Sequence, residues 1–153
     1  MITEIDYQIY RAEEEYLSAK DLGIFKSQVL YLEERLKIYE LLRSLETELF
    51  QHVANQIGQN FPDETELRVK QALKHWMLVL RYCAMAMLSN DPEYLQQRIL
   101  EWLPEQIKAR ETQDLEGHLY SYLYKRLKKV MGAEDFSIIK PYLEQSKNTL
   151  FDS

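Results

Sequence analysis

One thiol, three imidazoles and a run of tyrosines among lysines are the side chains of this 153-residue sequence whose chemistry could build a site. Cys83 is the only cysteine, so it has no internal disulfide partner. It shares a helical stripe with Leu80, Ala84 and Met87, where a free thiol packs as a small hydrophobe. Lys74 and His75, beside Trp76, are the candidate ligand-holding pair. An imidazole donates to carbonyls and ring nitrogens, and an ammonium meets a carboxylate. The plainer reading of the same two residues is the exposed polar face of a helix. His52 and His118 read as surface or internally satisfied groups. Tyr120, Tyr122 and Tyr124 interleave with Lys125, Arg126, Lys128 and Lys129, a pattern that could stack on and neutralise RNA. Leu119, Leu123, Leu127 and Val130 instead put the apolar residues on one face and leave the bases on the other, as in a solvated helix. Glu13, Glu14 and Glu15 are too dense and exposed for a tuned acid and base pair. With no nucleophile, metal or phosphate motif, the sequence reads as a non-enzyme.

The elements that must carry these residues are helical. Only four Gly and four Pro stand against 46% hydrophobic residues, which favours long helices over a turn-rich sandwich or barrel. In residues 3 to 16, Ile5, Ile9, Ala12 and Tyr16 recur at helical spacing, an arm that needs a partner. Ser18, with Asp21 three residues on, is placed to cap the next helix. A long tract follows, with a stripe through Phe25, Val29, Leu32, Leu36, Tyr39 and Leu42 that Leu49, Val53 and Ile57 continue toward Gly58. From about Asp63 to Leu88 the pattern is strongest, and Val69, Leu78, Tyr82 and Met85 lie off its main stripe, so this helix meets more than one neighbour. Asp91 before Pro92 starts a short helix to Leu103. Pro104 restarts the chain into a helix reaching Met131, where Gly132 supplies a C-terminal cap. Ile138, Ile139, Tyr142 and Leu143 suit a closing helix.

The length fits one domain with a real core. A formal charge of −6 repels nucleic-acid phosphates. The apolar runs are cut by charges well before the ~20 residues that span a bilayer, so no membrane insertion is expected. The N-terminus lacks signal-peptide features, and with its single thiol the chain suits a reducing cytoplasm.

Three stretches carry a family resemblance. RAEEEYLSAKDLGIFKSQV, in which Tyr16, Leu17 and Ser18 form a joint, ANQIGQNFPD, and LVLRYCAMAMLSND, anchored by Tyr82 and Asp91, together resemble the phycobiliproteins of cyanobacterial light-harvesting antennae. The resemblance implies an all-α, globin-like domain preceded by a two-helix N-terminal arm: one domain over 1–153, with the arm at 1–30 and the core at 31–153.

The departures from that family bear on function. Its bilin-bearing cysteine lies thirteen residues before the tyrosine matched by Tyr82, with Arg and Asp two and three residues later; here Val69, Gln71 and Ala72 stand there. In the family the thiol forms the thioether, the Arg pairs a propionate, and the Asp holds the pyrrole nitrogens. No covalent bilin is therefore expected. Any bilin is held non-covalently and weakly, through Lys74 and His75 with partial help from Lys70. The family's interface ion pair is also missing, since its acid is Arg11 and its Arg is Leu78. The resemblance then implies a non-light-harvesting accessory protein, nearest to the bilin biosynthesis-associated globins. Such a protein is a chaperone or scaffold in bilin biosynthesis or a transient non-covalent bilin holder. The alternative is a phycobilisome assembly or turnover factor binding antenna proteins. Its partners are a second copy, bilin-pathway proteins or phycobilisome proteins, met through the arm. A haem-binding globin sensor comes third, because no histidine lies between Ser89 and Thr112 to serve as a proximal ligand.

Overall fold

Helix caps written into the sequence set the element order. The computed structural model describes residues 4–151, and among them there is no strand. Helix α1 (Glu4–Glu14) is followed by a joint at which Ser18 accepts a hydrogen bond from the Asp21 amide at 3.1 Å, capping α2 (Ala19–Asn60). Thr65 does the same for α3 (Glu66–Ser89), accepting from the Arg68 amide at 3.3 Å, so that helix begins slightly later than Asp63. Asn90, at φ 52°, closes α3 in the left-handed region. Asp91 then accepts from the Tyr94 amide at 3.2 Å and starts α4 (Pro92–Leu95).

Two expectations for the next stretch are corrected. The single short helix to Leu103 is instead α4 followed by a π-helical turn at Gln96–Leu100, and α5 (Leu103–Arg110) begins at Leu103 itself. The helix expected from Pro104 to Met131 is broken, because Glu111 adopts φ 56° and α6 (Gln113–Met131) starts anew. No Gly or Pro marks the break. Arg68 of α3 holds it, donating to the carbonyls of Arg110 at 3.3 Å and Glu111 at 3.1 Å. Gly132, at φ 84°, ends α6 as its type predicts, and α7 (Ala133–Phe151) completes the chain with Pro141 inside it.

The core lies between α3, α6, α7 and the second half of α2. Trp76 is fully buried at its centre, with ring centroids 5.3 Å from Tyr120 and 5.9 Å from Phe151. Buried positions on α2 begin only at Ile38, so the preceding part of this helix, about 28 Å at 1.5 Å per residue, adds nothing to the core. The boundary at 30/31 thus falls inside one continuous helix. The stripe expected through Val29, Leu32 and Leu36 is not covered: all three are exposed, as are Leu30 and Tyr31. Helix α1 packs on α2 through Gln8, and Arg11 reaches Asp21 at 3.1 Å. Ile9 and Tyr16 stay outside, Tyr16 fully so.

Candidate functional site

The residues singled out on α3 divide into those facing solvent and those spent inside the protein. Val69 and Gln71 are half-buried, and Ala72 is buried. Lys70 pairs with Glu66 at 3.1 Å, one turn back on its own helix. Lys74 is exposed. His75 is not on an open polar face, for its side chain is only 13% exposed, and Nδ1 lies 2.6 Å from Oε1 of the fully buried Glu116 on α6. Arg110 Nη1 lies 3.4 Å from His75 Nε2. A guanidinium can only donate, so Nε2 carries the lone pair and Nδ1–H donates to the carboxylate. Lys74 and His75 are therefore adjacent in sequence but not joined in one site, since both ring nitrogens of His75 face protein groups.

Sequence reasoning missed Glu116. Its carboxyl is pushed above the ordinary range, first by burial, while the hydrogen bond from His75 and the charge of Arg110 act in the opposite sense. Among the described residues Oε2 has no partner, and neither does the buried Thr112 hydroxyl one turn before it. The signal was present: Glu116 falls on the face of α6 that carries Leu119, Leu123 and Leu127, an unusual place for an acid unless a partner meets it.

Cys83 lies where its stripe predicts. It is fully buried, with Sγ 3.3 Å from Ser146 Oγ and 3.6 Å from the Tyr142 carbonyl. Burial pushes the thiol up to about 12, which the Ser146 hydrogen bond only partly opposes, so thiolate chemistry is suppressed. Of the tyrosine run, Tyr120 is buried under α7 and Arg126 pairs with Glu48 of α2 at 3.0 Å. The aromatic and basic groups thus belong to helix packing as much as to a surface. His118 is exposed and set edge-on to Phe61 at 4.9 Å, and His52 is half-buried. Among the described residues no three of His, Cys, Asp and Glu gather to hold a metal, and no helix is long and apolar enough to cross a membrane.

An all-helical, globin-like chain with a two-helix arm is the class this architecture defines. A family model described as phycobilisome protein matches residues 8–150, and the chain belongs to that family. Members of the family are generally non-enzymatic structural or light-harvesting proteins and typically bind bilins. No curated protein matches the chain.

The α3 face does not fit an anchored bilin. Val69 offers no sulfur, the buried Ala72 offers no carboxylate for pyrrole nitrogens, Lys70 is paired along its own helix, and His75 is turned into the α3–α6 contact. After co-expression with bilin synthesis and lyases, zinc-enhanced fluorescence of the denatured protein on a gel is expected to be blank. A fluorescent band abolished by Cys83→Ser would overturn the assignment of the thiol to the core.

Proposed function

We propose that this chain is a non-light-harvesting accessory protein of the phycobilisome family that works by docking on another protein through α1 and the first half of α2. The single observation that carries this reading is the uncovered apolar surface there. Ile9, Tyr16, Leu22, Leu30, Tyr31 and Leu36 are all exposed, on α1, the joint and the part of α2 that precedes the core. Leu22, Val29 and Leu36 share one side of α2 by their spacing, and exposed apolar side chains gathered on one face mark an interaction site. The acid and base that join antenna subunits in the family are replaced by Arg11 and Leu78, and Arg11 is already paired within the arm to Asp21. That argues for a partner other than the usual antenna heterodimer mate.

The role that best fits a family member without pigment anchoring is a chaperone or scaffold in bilin biosynthesis, including transient, non-covalent handling of a bilin. The test is purification from a bilin-producing host, with identification of co-purifying proteins and an absorption spectrum. Capture of a bilin-pathway enzyme, lost when residues 1 to 16 are removed, supports the reading. Capture of antenna proteins instead makes the chain an assembly or turnover factor acting through the same surface. A chain that recovers neither class, and whose mass is unchanged by the deletion, refutes arm docking.

A further inference from the structure

We propose that the hollow between α2, the α3–α4 corner and α7 is a binding site for a small monocarboxylate with an apolar body. This goes beyond the docking role and does not depend on it. The hollow holds about 290 Å³, at the lower end of the range for small-molecule sites. Its wall is tied across two elements, since Gln145 of α7 donates to the Pro92 carbonyl at the start of α4 at 3.0 Å.

The charge of the ligand follows from Arg35. Among the described residues it is the one ionic side chain that lines the hollow, and no acid lies beside it there. It sits half-buried on α2, one turn before the core begins at Ile38, and among the described residues it joins no ion pair. Its Nε–H is shut off from solvent and has no acceptor. A guanidinium keeps its charge at any pH a protein meets, so a partly buried one calls for an acceptor. Asp91, at the α3–α4 corner, is committed elsewhere: its Oδ1 accepts from the Tyr94 amide at 3.2 Å, and its side chain does not line the hollow. One cation asks for one negative charge, and the planar fork of an arginine matches the two oxygens of a carboxylate. A phosphate dianion would bring a second charge with no cation to meet it.

Further donors and the apolar body follow from the other walls. Burial holds the Tyr142 hydroxyl above the ordinary tyrosine value while Arg35, close by, opposes the shift, so a protonated donor stands near the guanidinium in the same hollow. Asn90, held at φ 52°, adds a side-chain amide. Met87, Ile138, Pro92 and Pro141 complete the lining, and their hydrocarbon suits the apolar body of the ligand rather than a second polar group.

The test uses the full chain labelled with nitrogen-15 and two probes, benzoate and hexanoate. The Arg35 Nε–H resonance is identified by its absence from Arg35→Lys and followed during titration, and calorimetry gives the affinity. A saturable shift of that resonance is expected with at least one probe. Affinity should fall at least tenfold for the neutral benzamide and hexanamide, for acetate, which lacks the apolar body, and for Arg35→Gln. Arg35→Lys, which keeps the charge without the fork, should recover only part of the loss. Circular dichroism checks that the variants keep their helicity; if Arg35→Gln does not fold, the amide and acetate comparisons on the unmodified chain decide alone. The proposal is overturned if neither probe gives a saturable shift, if the amides bind as well as the acids, if acetate binds as tightly as either probe, or if inorganic phosphate binds more tightly than both. Removing residues 1 to 16 should leave carboxylate binding unchanged, so this reading and arm docking fail separately.

Discussion

Ile9→Asp combined with Leu30→Glu is expected to convert any assembled species to the mass of a single chain without loss of helicity. Both side chains are half or more exposed in the isolated chain, Ile9 at 50% and Leu30 at 64%, so charging them removes no contact on which the fold depends. In a docked state the same side chains leave water, and burying one of this size is worth roughly 1.5–3 kcal/mol. Because half of Ile9 and nearly two thirds of Leu30 remain to be covered, losing both burials takes about 2–3 kcal/mol from association, which is about one to two powers of ten in Kd. The contacts that hold α1 to α2, the buried Gln8 and the Arg11–Asp21 pair at 3.1 Å, are left in place, so the arm itself persists. Light scattering reads the mass and circular dichroism the helicity. Where the unmodified chain is itself monomeric, the same pair of substitutions is read on partner capture. Mass and capture both unchanged would show that the exposed arm is not the interface.

The arm also shows what periodicity can and cannot convey. The spacing of Phe25, Val29, Leu32 and Leu36 reports which residues share a face of α2, and that is local geometry. Whether the face is covered depends on where the rest of the chain packs, and here the core begins only at Ile38. The helix order was legible because its punctuation is local: Ser18, Asp91 and Gly132 each act within a few residues of where they stand. The break at Glu111 was not legible. It has no Gly or Pro, and it is held by Arg68, more than forty residues earlier in the chain. The site divides in the same way. Absence of a thiol, an arginine and an aspartate at Val69, Gln71 and Ala72 is read directly from residue types. The His75–Glu116 pair exists only once residues forty-one apart, on two helices, meet, so the residue types alone could not show that union.

His75→Ala and Glu116→Gln should act in opposite directions, although each removes one half of the same contact. Glu116 is fully buried and, among the described residues, its Oε2 lacks a partner and His75 Nδ1–H at 2.6 Å is the one hydrogen bond its carboxylate has. Removing the imidazole strands a buried charge, a change that costs about 3–5 kcal/mol near neutral pH. The pH dependence follows from the direction of the shift. Burial holds the Glu116 carboxyl above the ordinary carboxylate value, so the native state keeps its proton at pH values where the unfolded chain, titrating near ~4.3, has lost it. Between those two values the folded state binds more protons, and stability falls as pH rises through the window and is regained below it. In the native protein the hydrogen bond from His75, with the charge of Arg110, opposes the shift. His75→Ala deletes the larger part of that opposition, which moves the upper edge of the window higher. The variant should be weakest at pH 7 and recover toward the parent as pH approaches ~4.5. Glu116→Gln keeps an acceptor for Nδ1–H and abolishes the titration, so its stability should stay within about 1 kcal/mol of the parent at pH 7 and lose this component of the pH dependence. Urea unfolding of the three proteins at pH 4.5 and pH 7 measures all of this. Equal destabilisation of His75→Ala at both pH values would mean that its loss is one of packing alone, and that Glu116 is not held as a buried carboxylate by the imidazole.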